Sequence, residues 1–128
     1  MGKPAAKQGD QITAKCTHTY TPPSPPPVTQ TFSFVGIISG NLSTDVHING
    51  KPAAMVDSTA TNDPPHVAPA GVFTPPPSNQ ATIKMGSGTV MINGKAAARD
   101  GDKADTCGDP PNLLAGTVVA AGTVNIGG

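Results

Sequence analysis

The amino-acid sequence predicts an all-β fold, a closed ring of strands built from three copies of one repeat. Two observations lead to this prediction. One short pattern occurs three times along the chain, and no window of useful length has the 3.6-residue hydrophobic period of an α-helix. The 128 residues provide room for one domain, so residues 1–128 are expected to fold as a single unit.

The three copies differ in how they are placed along the chain. The second copy occupies residues 46–54 and the third occupies residues 90–98, while the first is divided between residues 2–6 and residues 124–128. A chain that begins in mid-repeat and ends by completing it is most simply a closed ring. We therefore expect the two chain ends to pair, and the three units to surround a pseudo-threefold axis.

Each copy has the same local chemistry. It opens with Val-x-Ile, the alternation typical of a strand with one buried face, so Val46 and Ile48 are expected to face the core. In the second and third copies Asn-Gly follows, the strongest short turn signal, and each copy continues with small residues that allow close approach of backbones. Further strands are predicted at residues 31–35 and 81–85, with long Pro-rich loops at residues 21–27 and 74–77.

The composition excludes several classes of function. Eight basic and eight acidic residues give a net charge of zero, which argues against electrostatic binding to nucleic acid or to an anionic membrane. There is no apolar run of membrane-spanning length and no signal-peptide pattern, so we expect synthesis in the reducing cytoplasm. With 3% aromatic residues, 15 Gly and 15 Pro, the chain needs more than a thick apolar core to order it.

Histidine and cysteine recur at related positions in the three units. His18 and His66 each follow their repeat's lysine by 15 residues, and Cys107 follows its lysine by 12. Cys16 stands two residues before His18, so on an extended strand both side chains point to the same side. Closure of the ring would bring Cys16, His18, His66 and Cys107 together as a Cys2His2 set, which is the tetrahedral site that zinc prefers, with iron as the second choice.

Other interpretations of these residues stay open. Cys16 and Cys107 can instead form a disulfide, and His18 and His66 can be ordinary surface histidines. His47 lies between two residues expected to face the core, so it is predicted to point into solvent and not to bind metal.

The segments at residues 3–7, 51–55 and 95–99 read Lys-Pro-Ala-Ala-Lys, Lys-Pro-Ala-Ala-Met and Lys-Ala-Ala-Ala-Arg. Together with the neighbouring Asn-Gly and Gly-Asp pairs, they resemble the PAAR-repeat family, although only Arg99 keeps the arginine and Ala96 replaces the proline. The resemblance implies a sharp β-cone with a zinc near its apex. Family members typically bind that zinc through three histidines and one cysteine, so Cys16 would stand where a histidine often does.

The resemblance also implies a function. A PAAR-repeat protein is expected to cap and sharpen the trimeric β-helical spike of a contractile injection machine, such as a type VI secretion system or a phage-tail-like particle. The tip would work by membrane puncture and effector delivery, with one chain per trimer, effectors as further partners, no nucleic acid, and only transient contact with the target membrane. It would assemble in the cytoplasm and leave the cell with the particle.

The residues favour a structural role over an enzyme. Four protein ligands would close the metal shell, whereas a catalytic zinc keeps an open position, and no carboxylate stands at a suggestive spacing. The alternative function is a free zinc-binding adaptor or effector-carrying module. The spike-binding surface is expected at the wider end, near Asn49 and Asn93 with the glycines that follow them.

Overall fold

The computed structural model describes residues 2–24, 26–62, 66–73, 79–106 and 115–127, and every regular element within these ranges is a β-strand. The strands are β1 Lys3–Pro4, β2 Gln11–Thr21, β3 Val28–Gly40, β4 His47–Ile48, β5 Lys51–Pro52, β6 Thr59–Asn62, β7 Val72–Phe73, β8 Gln80–Ile83, β9 Met91–Ile92, β10 Lys95–Ala96, β11 Lys103–Asp105, β12 Gly116–Val119 and β13 Asn125–Ile126. The all-β prediction is confirmed for this part of the chain. No described segment is a helix with the length and apolarity that crossing a membrane requires. Residues 74–77, the second predicted Pro-rich loop, lie outside the described residues.

Six strands form a closed antiparallel barrel. They follow one another in the order β12, β11, β8, β6, β3 and β2, and β12 pairs back onto β2. Because the barrel is closed, β12 and β2 pair with each other and neither is an edge strand. An exposed edge strand can pair with a strand of another molecule. Alternate side chains point inward and pack into one core, in which Ile12, Phe34 and Ile38 are among the largest fully buried residues.

The hairpin of β2 and β3 is the tallest part of the barrel. Its register runs through ten residue pairs, from Gln11 opposite Ile37 to Tyr20 opposite Val28. At about 3.3 Å per residue, those ten pairs extend over about 30 Å. Because the neighbouring strand β6 pairs only with the last part of β3, the upper half of the hairpin rises beyond it. The far end of β2 is joined instead by the short strand β7.

Three small hairpins lie on the other side of the barrel from this tall end. β4 pairs with β5, β9 with β10, and β13 with β1, all in the same register: Ile48 opposite Lys51, Ile92 opposite Lys95, and Ile126 opposite Lys3. The third hairpin consists of the two ends of the chain, as the divided first repeat predicts. Asn49 and Asn93 have φ near 51° in the two intact turns, a left-handed conformation that Asn tolerates better than most residues.

The valine of each Val-x-Ile pattern differs from expectation. Val46, Val90 and Val124 are 37%, 36% and 40% exposed, whereas the isoleucine two residues later is buried in each copy. The strands of these hairpins are only two residues long, so each valine precedes the strand and lies at its rim. The expectation that Val46 faces the core was therefore wrong. His47 is exposed, as predicted.

A ring of backbone hydrogen bonds joins the three repeats. The amide of Ala6 donates to the carbonyl of Ala98 (3.0 Å), Ala98 donates to Ala54 (3.1 Å), and Ala54 donates to Ala6 (3.0 Å). All three alanines are fully buried. Their methyl groups are packed in the barrel core, so a larger side chain would have to displace buried neighbours.

Beneath the ring, the small hairpins have a core of their own. It consists of one isoleucine and one alanine from each repeat and is separate from the barrel core; its members are Ile48, Ile92, Ile126, Ala5, Ala53 and Ala97. Isolated β-bridges connect each repeat to the next in cyclic order, joining Lys7 to Ala53, Met55 to Ala97, and Arg99 to Ala5. Aliphatic packing and backbone pairing thus order a chain that has few aromatic residues.

The residue after each left-handed turn position caps the repeat. Its side chain accepts the backbone N–H of the residue three positions earlier, in Lys7 to Asp10 (3.1 Å), Arg99 to Asp102 (2.7 Å) and Met55 to Ser58 (3.0 Å). In the first and third repeats the same carboxylate also pairs with the earlier cation. Since Met55 has no charge to pair, a hydroxyl is sufficient in the second repeat. This accounts for the serine that stands there in place of aspartate.

Ala54→Leu should be strongly destabilising, because Ala54 is fully buried in the barrel core and the added carbons would have to displace packed neighbours. We expect a loss of about 1–3 kcal/mol or more in the free energy of unfolding, measured by urea denaturation. Ala121→Leu, at an exposed alanine, should change it by less than about 0.5 kcal/mol. Equal stability of the two variants would contradict the role assigned to the ring.

The left-handed turn position of the second repeat is occupied by Asp57, with φ of 80°. The first and third repeats have Gly9 and Gly101 at this position. The carboxylate of Asp57 accepts a hydrogen bond from Lys95 Nζ (2.8 Å), and this contact lowers the pKa of Asp57. Both Asp57→Gly and Asp57→Ala lose the ion pair with Lys95, but only glycine relieves the backbone, since alanine keeps the strained φ. Thermal melting should therefore rank the glycine variant above the alanine variant, and the reverse order would refute this reasoning.

Candidate metal centre

Three of the four predicted ligands come together at the tall end of the barrel. The donor atoms of Cys16, His18 and His66 all lie within 4.8 Å of one another. Cys16 and His18 lie on β2, while His66 follows β6 in the chain. The fourth predicted ligand, Cys107, lies outside the described residues.

The alternation of β2 positions two of these ligands. Every second residue along Cys16–Tyr20 is buried, so both Cys16 and His18 point inward. The intervening threonines point outward and meet threonines of β3 across the hairpin, Thr17 with Thr31 (3.4 Å) and Thr19 with Thr29 (3.0 Å). The threonines thus form the outer, polar face of β2, while Cys16 and His18 lie on its inner face.

His66 is positioned by two asparagines. Its backbone N–H donates to Asn79 Oδ1 (2.8 Å), and its Nδ1 lies 3.3 Å from the amide nitrogen of Asn62. Asn62 is itself oriented by Val35, whose backbone N–H donates to the asparagine Oδ1 (3.0 Å). The other ring nitrogen, Nε2, is buried and has no hydrogen-bond partner among the described residues. A buried, unsatisfied nitrogen is costly, and a metal ion would satisfy it.

Aromatic rings surround the two imidazoles. The ring centroids of His18 and His66 are 5.2 Å apart, and Phe73 packs against His18 at 5.5 Å. Phe32 lies 5.5 Å from His66, and Phe34 lies 6.3 Å from it. Burial lowers the pKa of His66 below its usual value, and repulsion from His18 lowers it further. The neutral imidazole is the form that binds a metal, so this apolar setting fits the proposed chemistry.

The redox state of Cys16 decides whether this residue can bind a metal. In this structure Cys16 is disulfide-bonded, the alternative that the sequence left open. A cysteine binds metal as a thiolate, so Cys16 becomes a ligand only in the reduced protein. His18 and His66 can each offer a ring nitrogen to a metal whether Cys16 is oxidised or reduced. His47 lies on β4, among the small hairpins, and takes no part in the cluster.

Sequence reasoning missed the residues that support the cluster. Asn62 and Asn79 orient His66, and Phe32 and Phe73 enclose the imidazoles. Asn62 ends a short strand four residues before His66, a weak signal at best. Asn79 has φ of 57°, which the sequence does not reveal.

The described part of the chain is thus a closed all-β barrel with a histidine–cysteine cluster at one end, a candidate metal site, and three repeat hairpins at the other end. The chain matches the PAAR motif family over residues 30–111, most of its length, and belongs to that family. Membership supports a spike-tip role in a contractile injection system and association with its spike protein. Among curated proteins, none matches the chain significantly.

Proposed function

We propose that this protein is a pseudo-threefold β-cone that caps and sharpens the trimeric spike of a contractile injection machine. The observation that carries the proposal is the hydrogen-bonded ring of Ala6, Ala54 and Ala98, which joins three similar units of a single chain. Such a chain can match the end of a true threefold trimer, so one copy suffices per spike. It would assemble in the cytoplasm, leave with the particle, and act by puncture and effector delivery.

The two ends of the molecule suit different tasks. The small hairpins lie on one side of the alanine ring, and the barrel with Cys16, His18 and His66 rises on the other. We assign the spike contact to the hairpin end, where the strands are short and their edges can be extended by strands of the partner. The metal end is then the apex that meets the target membrane.

A purified complex tests the stoichiometry. Mixing the protein with the trimeric spike protein of the same machine should give a particle of one chain per trimer, measured by size-exclusion chromatography with light scattering. A free zinc-binding adaptor would not bind the trimer. Three chains per trimer would refute the one-to-three geometry, and no complex at all would contradict the spike-tip function.

We also propose that the reduced protein binds one metal ion, zinc in preference to iron, through Cys16, His18 and His66, with Cys107 as the fourth ligand. Support comes from the clustering of three donors, the buried Nε2 of His66 and the apolar surroundings. A bound zinc would cross-link the tall end of β2 to the segment after β6. Four protein ligands leave no open position for a substrate, in keeping with a non-enzymatic role.

Metal content and melting temperature test this site. Protein purified under reducing conditions should contain one zinc per chain by elemental analysis, and chelation should lower the melting temperature by more than about 10 °C, because the binding free energy of a structural site contributes to folding. His66→Ala should lose the metal.

The matched control is His47→Ala, at the exposed histidine of the small hairpins, which should retain the metal fully. Absence of any transition metal from the reduced protein would contradict the proposal. Equal metal loss in the His47 and His66 variants would do so as well.

A further inference from the structure

Three exposed valines occupy equivalent positions at the hairpin end. The carbonyl of each valine accepts the backbone N–H of the first buried alanine in its repeat: Ala53 to Val46 (2.9 Å), Ala97 to Val90 (3.0 Å) and Ala5 to Val124 (2.9 Å). Their exposed fractions, 37%, 36% and 40%, are nearly the same. We call these three residues the valine rim. Single exposed valines are ordinary, but three at one repeated position form a pattern.

Apolar side chains also lie beside the rim. The isoleucine two residues after each valine belongs to the small core, and Ile48, Ile92 and Ile126 remain 6%, 5% and 7% exposed. This core is separate from that of the barrel, so the hairpin end has apolar packing of its own. A partner that covered the rim would extend this core.

The residues between valine and isoleucine make the hairpins unequal. They are His47, Met91 and Asn125, all exposed, and none carries a carboxylate or an ammonium group. At these three positions themselves, contact with a partner would depend on burial and hydrogen bonding and not on ion pairs. Because these three side chains differ, identical partner subunits can make the same contact in every repeat with the valines and with the exposed lysines opposite the isoleucines, Lys3, Lys51 and Lys95, but not with the residues between valine and isoleucine.

We infer that the valine rim is the docking face for the end of a homotrimer, in which each subunit places one apolar side chain against one of the three valines. The inference rests on the proposed spike-tip function and assigns the residues that carry it. Three equal exposures suit three identical subunits. A monomeric partner would have no reason to need all three valines.

The test replaces each valine by aspartate in the full chain. Val46→Asp, Val90→Asp and Val124→Asp should each weaken binding to the purified trimeric spike protein about tenfold or more, measured by biolayer interferometry, because a charge would be buried in an apolar contact. The three losses should agree within about threefold, since the positions are equivalent. Val119→Asp is the matched control: Val119 is 45% exposed but lies on the barrel strand β12, and its replacement should leave binding unchanged.

If an aspartate variant has a lower melting temperature, serine is used at the same position, and the three serine variants should also weaken binding to similar extents. Unchanged binding by the rim variants, or a loss confined to one valine, would overturn the inference while leaving the spike-tip function intact. A loss confined to Val119→Asp would place the contact on the barrel and overturn it too. If the unaltered chain did not bind the trimer, the proposed function itself would fail.

Discussion

The whole structure depends on three backbone hydrogen bonds that run in a circle through Ala6, Ala54 and Ala98. They join three segments of one chain, and the alanine at each of the three positions is fully buried. The barrel core around these alanines contains one fully buried aromatic residue, Phe34, and is otherwise made mainly of aliphatic side chains and methyl groups. This constraint explains a composition that would otherwise suggest disorder, with little aromatic content and abundant glycine and proline.

Much of this arrangement could be predicted from the sequence, because a repeat turns local patterns into long-range contacts. The divided first copy predicts the pairing of Lys3 with Ile126, and the equal offsets of His18 and His66 predict their approach. The exposure of Val46 could not be predicted, since alternation does not show where a two-residue strand begins. Nor could the contacts of Asn62 with His66, which depend on the backbone conformation of a loop.

The departures from the family pattern have a local explanation. The Arg99 guanidinium pairs with Asp102 and reaches the carbonyls of Gly86 and Gly127, so it ties the third repeat to the C-terminal end of the chain. Lys7 makes the matching pair with Asp10 and reaches the carbonyl of Ala121. In the second repeat the cation and the carboxylate are replaced together, by Met55 and Ser58. The capping bond to the backbone remains in all three repeats, so that bond, and not the charge, is the common requirement.

The two ends of the molecule are held by different means, and this difference bears on how a tip would transmit force. At the hairpin end, every repeat is linked to the next by bridges and by the alanine ring, so a load applied there is shared by all three. At the other end, the hairpin of β2 and β3 rises beyond β6 and has only the two residues of β7 as a further strand partner among the described residues. Backbone pairing alone therefore gives the weakest lateral support at the end that would meet a membrane first. Cys16, His18 and His66 lie there, so a cross-link through a metal in the reduced protein would strengthen the place where strand pairing is least extensive.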